Sequence, residues 1–380
     1  LQEFMGISRI LYQVPAEIVC YSCLRETLHG HRCVEMGNIN LCHWRMVSVY
    51  SIAHFSVDFA CAFLVFRFIA GSPNADVSVL LYNFCAFALQ MPIGIAADKL
   101  NRNNLIAVLG CVLVGFAFAL VTFPILAVIV IGTGNALFHI GGGIDVLNIS
   151  QKKLGALGVF VSPGALGIYW GAIVGKGSGF PAFLIPLAIV AIAGLMLLTR
   201  KLNRMAYFTN STFSISEVGN KTIILAVFCL FMVVCLRSFT GLSTHFSWQD
   251  SGGWATVLVL AVVLGKTMGG FASDRFGVIA TAGVSLGAAG LFFLFPAFPL
   301  TGIAAVLLFN MTMPITLWAM TKLLPGAKGG AFGLLTFALF IGFLPVYYGV
   351  NVQPILIWLL PLITVVSLFL LWTGLRRVKQ

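Results

Sequence analysis

Gly94-Ile-Ala-Ala-Asp98-Lys99-Leu-Asn-Arg102 has a counterpart in Gly270-Phe-Ala-Ser-Asp274-Arg275-Phe-Gly277, and the two aspartates stand 176 positions apart. Each copy lies where a long apolar run stops and charges begin. A Gly four residues ahead of an Asp, followed at once by a base, reads as a helix end and a tight polar turn. The Gly admits a second helix at close range, and the Asp and bases meet at a membrane face. Other landmarks recur at nearly the same offset. Asn135 answers to Asn310, and Lys153-Leu-Gly-Ala-Leu-Gly158 answers to Lys328-Gly-Gly-Ala-Phe-Gly333. Solenoid repeats run to about 20–50 residues; a period this long is a duplicated half of a membrane protein.

Composition sets the solvent. Of the 380 residues, 60% are apolar and 9% charged, whereas a soluble domain carries about 25% charged residues. Too little polar side chain is present to cover a water-facing surface. The net charge of +11 does not signal nucleic acid, because the bases come singly or in twos and threes between apolar runs rather than on one face. Cys61, Cys85, Cys111, Cys229 and Cys235 lie inside apolar runs and read as small packing residues.

Residues 1–45 do not resemble the rest and read as a fragment or upstream extension, with the working protein starting near Met46. Their Cys20, Cys23, His29, His31, Cys33, Cys42 and His43 are ligand-rich, but the spacing fits no regular zinc module, and accidental sequence would look the same. No metal and no cofactor are assigned. From Met46 onward the apolar runs have spanning length, roughly 20 residues each: 46–70, 76–97, 104–122, 124–146, 153–175, 179–199, 222–243, 252–272, 277–296, 299–321, 328–349 and 354–376. The expected fold is an all-α polytopic membrane protein of twelve transmembrane helices in two pseudo-symmetric six-helix bundles. The bundles cover 46–199 and 222–380, joined by a linker over 200–221. Lys and Arg gather in alternate connections (Lys99, Arg102, Lys152, Lys153, Arg200, Lys201, Arg204, Lys221, Arg275, Lys322, Lys328, Arg376, Arg377, Lys379). Positive charge stays inside, so both termini are expected to be cytoplasmic.

The doubled Gly-x3-Asp-[Arg/Lys]-x-[Gly/Asn] turn between helices two and three of each half resembles the major facilitator superfamily, over residues 46–376. The resemblance implies a latch formed by Gly94, Asp98, Arg102, Asp145, Gly270, Asp274 and Arg275 that holds the halves together on the cytoplasmic side. Asp98 would cap a helix end and pair with Arg102, while Val278, standing where a base is expected, implies a weaker second latch. Within the family, His54-x3-Asp58, Gly134-Asn-Ala-Leu-Phe-His139 and Leu236-Arg237-Ser-Phe resemble fosmidomycin-resistance-type drug exporters. Ser162-Pro163-Gly164-Ala-Leu-Gly167 looks like the antiporter motif of drug/proton exchangers, with Pro163, Gly164 and Gly167 matching. These likenesses imply a monomer in a bacterial inner membrane.

Charges at mid-bilayer cost roughly 2.5–3.5 kcal/mol each on insertion scales, so they persist where they face protein or a wet cavity. His54 and Asp58 share a helix face. His54 and His139 each lie about 6 Å to the cytoplasmic side of their helix centres, at about 1.5 Å per residue, so the two imidazoles share a depth. Asp58, His54 and His139 are the candidates for proton coupling; Arg237, Asn135 and Asn310 are the candidates for substrate or gate. Arg237 falls near the depth of Asp58 in the other half, as a gate, a substrate clamp or a static pair. Lys266, eight residues ahead of the second turn, reads as snorkelling toward the cytoplasm. The expected function is secondary transport by alternating access, proton-coupled efflux of a small drug-like or anionic compound. The partners are the substrate, protons and lipid, without nucleic acid. Proton-coupled uptake of a small organic anion and a non-transporting sensor are the alternatives. An enzyme is the weakest reading, since the one Asp/His cluster sits mid-membrane.

Overall fold

The structure is a computed structural model that describes residues 32–150, 153–177, 179–202 and 221–378. Backbone amides inside lipid must bond within their own segment, and every described apolar run is accordingly helical. Twelve helices follow in order: α1 His43–Ile69, α2 Ala75–Leu100, α3 Asn103–Leu120, α4 Pro124–Ser150, α5 Gly155–Lys176, α6 Leu184–Leu202, α7 Lys221–Ser243, α8 Trp254–Phe276, α9 Val278–Phe292, α10 Pro299–Leu323, α11 Lys328–Tyr347 and α12 Gln353–Leu375. Ten of these are long and apolar enough to cross a membrane, while Leu184–Thr199 of α6 and Val278–Phe292 are shorter apolar helices. The described residues from Arg45 onward form one compact unit. The first span begins at His43 rather than Met46. The ligand-rich residues from Cys20 to Cys33, and most of the 200–221 linker, lie outside the described residues.

Two prolines set the irregularities that matter. Pro163 has no N–H to give the carbonyl of Val159, one turn back, and α5 breaks at Ser162 between Gly155–Val161 and Pro163–Lys176. Pro314 likewise leaves the Asn310 carbonyl without its helical donor, and α10 breaks at Met311.

The halves meet through α2 against α11 and α5 against α8, pairs that the repeat exchanges. At the end carrying the basic connections, each copy of the repeated turn engages the opposite half. Asp98 accepts from the amides of Gly329 (2.8 Å) and Gly330 (2.9 Å) at the start of α11. Asp274 accepts from those of Leu154 (2.6 Å) and Gly155 (2.8 Å) at the start of α5. A carboxylate there satisfies orphan donors and meets the positive end of the helix dipole. The expected Asp98–Arg102 pair does not form: Arg102 is exposed beyond α2, and the other half's amides take both carboxylate oxygens. The second latch is as complete as the first, because main-chain donors, not the base expected at Val278, hold it. Asn101 (φ 50°) and Gly277 (φ 85°) end α2 and α8 in the left-handed or positive-φ region, which Asn and Gly tolerate best. Beneath the caps, a methyl built on Gly94 would strike the Gly329 main chain, so this seam is backbone against backbone.

Candidate functional site

The break in α5 organises the site. With Pro163 in place, three carbonyls of α5 lose their ordinary helical roles, and side chains from other helices take them up. Ser51 of α1 reaches Val159 O (3.4 Å), His54 Nδ1 of α1 reaches Phe160 O (2.7 Å), and Lys266 Nζ of α8 reaches Val161 O (3.3 Å). Ser162 Oγ bonds Gly158 O (2.5 Å) and lies 2.7 Å from Thr267 Oγ1, again across the halves. Gly164 lets α5 lie against the charged face of α1, since a methyl there would collide with Asp58 Oδ2 and His54 Nε2. Gly167 makes the same approach one turn on, against the Phe55 carbonyl.

Asp58, His54 and His139 come together as their shared depth predicts. His54 Nε2 is 3.3 Å from Asp58 Oδ2, His139 Nε2 is 3.7 Å from Asp58 Oδ1, and Asn135 Nδ2 donates to Asp58 Oδ1 at 3.0 Å. The carboxylate and His54 are buried, at 7% and 6% exposure. Hydrogen-bond roles then fix the protons. His54 Nδ1 faces the Phe160 carbonyl, and His139 Nδ1 faces the Asn135 carbonyl at 2.9 Å. Carbonyls only accept, so both Nδ1 atoms carry hydrogen, and a neutral imidazole has just one N–H. Yet the two Nε2 atoms lie 2.9 Å apart. The facing Nε2 atoms and the Asp58 carboxylate give a proton entering this cluster two ring nitrogens and a carboxylate to occupy.

The same three residues are the set among those described whose ligand atoms, all within 4.8 Å, could hold a metal ion. Their surroundings oppose a divalent cation: the Lys266 ammonium sits on the Val161 carbonyl, next to the Phe160 carbonyl that His54 meets.

The remaining candidates separate. Arg237, buried at 8% exposure, donates to Thr312 Oγ1 (2.9 Å) and Thr316 Oγ1 (3.3 Å) of α10. It makes no ion pair with Asp58. Asn310 donates to Val306 O of its own helix. Asp145 accepts from Tyr50 Oη at 2.6 Å, and Asn104 Nδ2 donates to the same hydroxyl at 3.0 Å. Arg275 is exposed beside the Phe276 ring. Sequence reading has Lys266 snorkelling toward the cytoplasm, whereas its ammonium crosses to the other half, and it missed the Thr312/Thr316 hydroxyl pair. The available signals were a hydroxyl pair four apart on one face of α10 and, at the position equivalent to Lys266, the buried polar Gln90.

No family model matches the chain, and no curated protein does. Solved structures do. The E. coli fucose:proton symporter FucP is 14% identical, with 88% of this chain and 98% of that one covered and a TM-score of 0.59. A bacterial homologue of the iron transporter ferroportin in an outward-facing state is also 14% identical, covering 87% and 100%, with a TM-score of 0.63. A second structure of FucP, a major facilitator superfamily transporter, in the outward conformation is likewise 14% identical, covering 87% and 100%, with a TM-score of 0.58. At such low identity the likeness speaks for architecture, and this chain has the twelve-helix major facilitator fold.

Proposed function

We propose that this protein is a secondary carrier working by alternating access and driven by protons, exporting a small drug-like or anionic compound. The observation that carries the reading is the buried cluster of Asp58, His54 and His139 in a two-lobed carrier fold. A proton taken up there offsets the Asp58 charge, and its loss leaves a carboxylate in a low-dielectric site, which costs several kcal/mol and favours a conformation that gives the carboxylate another partner. The fucose:proton symporter among the structural neighbours supports proton coupling and keeps proton-driven uptake of a small organic anion as the second reading. The ferroportin homologue brings a metal cargo to mind, and the positive charge of Lys266 and Arg237 argues against it. The latched end is read as cytoplasmic, from the basic connections.

Resistance profiling in a pump-deficient host identifies a transported compound, and labelled flux in proteoliposomes then gives its direction. Asp58→Asn is expected to abolish accumulation driven by a pH gradient while leaving substrate exchange at equilibrium intact. Gradient-driven flux at the wild-type level in Asp58→Asn would remove this centre from the mechanism.

A further inference from the structure

The two halves differ at the end away from the latches. Two turns of the N-terminal half are wound as π-helix, Val65–Ile69 at the end of α1 and Phe84–Ala88 within α2. Each is closed by an amide that bonds five residues back, Ala70 N to Val65 O at 2.9 Å and Leu89 N to Phe84 O at 3.2 Å. No other π-turn occurs among the described residues, and the matching stretch of α8, 260–264 at the offset of the two aspartates, is regular helix. A π-turn is a place where a helix bends. Residues 70–83 lie between the two. Their helical part, Ala75–Asn83, packs on α4 of its own half, whereas Phe84–Ala88 and Gln90–Leu100 pack on α11. Two buried hydroxyls of the segment, Ser72 and Ser78, have no partner, a cost that a move into water would relieve. Among the described residues, one hydrogen bond ties the segment to the other half: Tyr347 Oη of α11 donates to the Asp76 carbonyl at 3.3 Å.

The corresponding connection of the C-terminal half is pinned instead. Between α7 and α8, Phe246 stacks on Trp248 with ring centres 4.9 Å apart, and Trp248 Nε1 donates to the Pro296 carbonyl at 2.9 Å. Gly302 leaves the space that the indole fills, and Gln353 of α12 adds a bond to the Ser243 carbonyl at 3.0 Å. The seams between the halves differ in the same sense. That of α5 against α8 is bonded at three heights: by Asp274 on the α5 amides, by Ser162 Oγ and Thr267 Oγ1 at 2.7 Å beside Lys266, and by Tyr169 Oη and Thr256 Oγ1 at 2.8 Å. That of α2 against α11 is bonded by Asp98 at the latch, and above Gly333 it becomes a ring contact, Phe84 with Phe340 at 5.8 Å. We propose that residues 70–83 form a lid at the outer end, hinged at the two π-turns and closed by Tyr347, while α5 and α8 stay together as a fixed seam. The lid opens without release of either latch, because Phe84–Ala88 separates it from the part of α2 that Asp98 holds. That a compound passes beneath the lid rests on the carrier reading above; the hinge does not.

The test uses the full chain in lipid nanodiscs, with spin labels on p-acetylphenylalanine introduced at exposed positions so that the native cysteines stay in place. Val77 and Val350 report the lid against the end of α11, and Ile168 and Val257 report α5 against α8. The first pair should show two distances and the second a single narrow one. Tyr347→Phe should raise the ratio of long to short distance in the first pair by about two- to tenfold, the range of one hydrogen bond, and leave the second pair unmoved. The variant removes a hydroxyl and no ring, and a thermal scan checks that it folds. A single distance for the first pair, a ratio unmoved by Tyr347→Phe, or a spread in the second pair as wide as in the first overturns the proposal. A short bis-aminooxy linker joining the ketones at Val77 and Val350 should stop flux in proteoliposomes, and the same linker between Ile168 and Val257 should spare it. Flux stopped by joining Ile168 and Val257 overturns the fixed seam. If the wild type shows no flux while the distances behave as expected, the carrier reading falls and the lid stands. If flux persists with Val77 and Val350 joined, the lid falls and the carrier stands.

Discussion

His54 and Asp58 show what a single turn of helix can arrange. Four residues apart on α1, they face Gly164 of α5 with no room for a methyl group. Gly164→Ala should therefore displace the carboxylate or the imidazole. The expected cost is about 1–3 kcal/mol of stability together with loss of gradient-driven flux, read from a thermal scan and a flux assay. Gly194→Ala, where an added methyl meets nothing within 4 Å, is the control and should be silent in both. The depth shared by His54, Asp58 and His139 is legible in sequence, because helical rise converts residue number into height. The partner of Lys266 is not. A lone lysine eight residues ahead of a polar turn has the same sequence signature whether it reaches back to water or across to another helix. Only the location of a freed carbonyl on α5 decides between the two.

At the scale of the element, α5 is built to be incomplete. Pro163→Ala would supply an N–H to the Val159 carbonyl and draw the two segments into one helix. Ser51, His54 and Lys266 would then compete with the helix for their acceptors. Stability should be unchanged or higher, by up to about 3 kcal/mol, while gradient-driven flux is lost. A variant that is both less stable and fully active would show that the break has no part in the site. The Pro-Gly pattern was visible in the sequence as a motif. What it does there, handing three carbonyls to three side chains on two other helices, depends on which helices lie alongside, and periodicity alone does not give that. The same holds for α10, where Asn310 and Pro314 were legible as a kink, but the Thr312 and Thr316 hydroxyls that receive Arg237 were not.

For the whole molecule, the repeat and the lipid-facing composition made the twelve-helix fold readable before any coordinates. Both partners of each latch were also visible, as the Asp98/Asp274 turns and the Lys153–Gly158 and Lys328–Gly333 stretches. Their meeting was not, because an offset in sequence names equivalents and not contacts. Each carboxylate cap is worth about 1 kcal/mol. Asp98→Ala with Asp274→Ala should together shift the balance between closed and open basic ends by roughly 30-fold, at 1.4 kcal/mol per tenfold. Spin-label distances between the basic ends of α2 and α11 should lengthen in the double variant. An unchanged distance distribution would mean that other contacts hold this end shut.

Main chain touching main chain, as at Gly94 and Gly329, leaves little width for a file of water while the rest of the joint stays shut. In the proton-driven carrier proposed above, a seam this narrow is expected to keep proton slip small, and the leak of a pH gradient from proteoliposomes without substrate measures it.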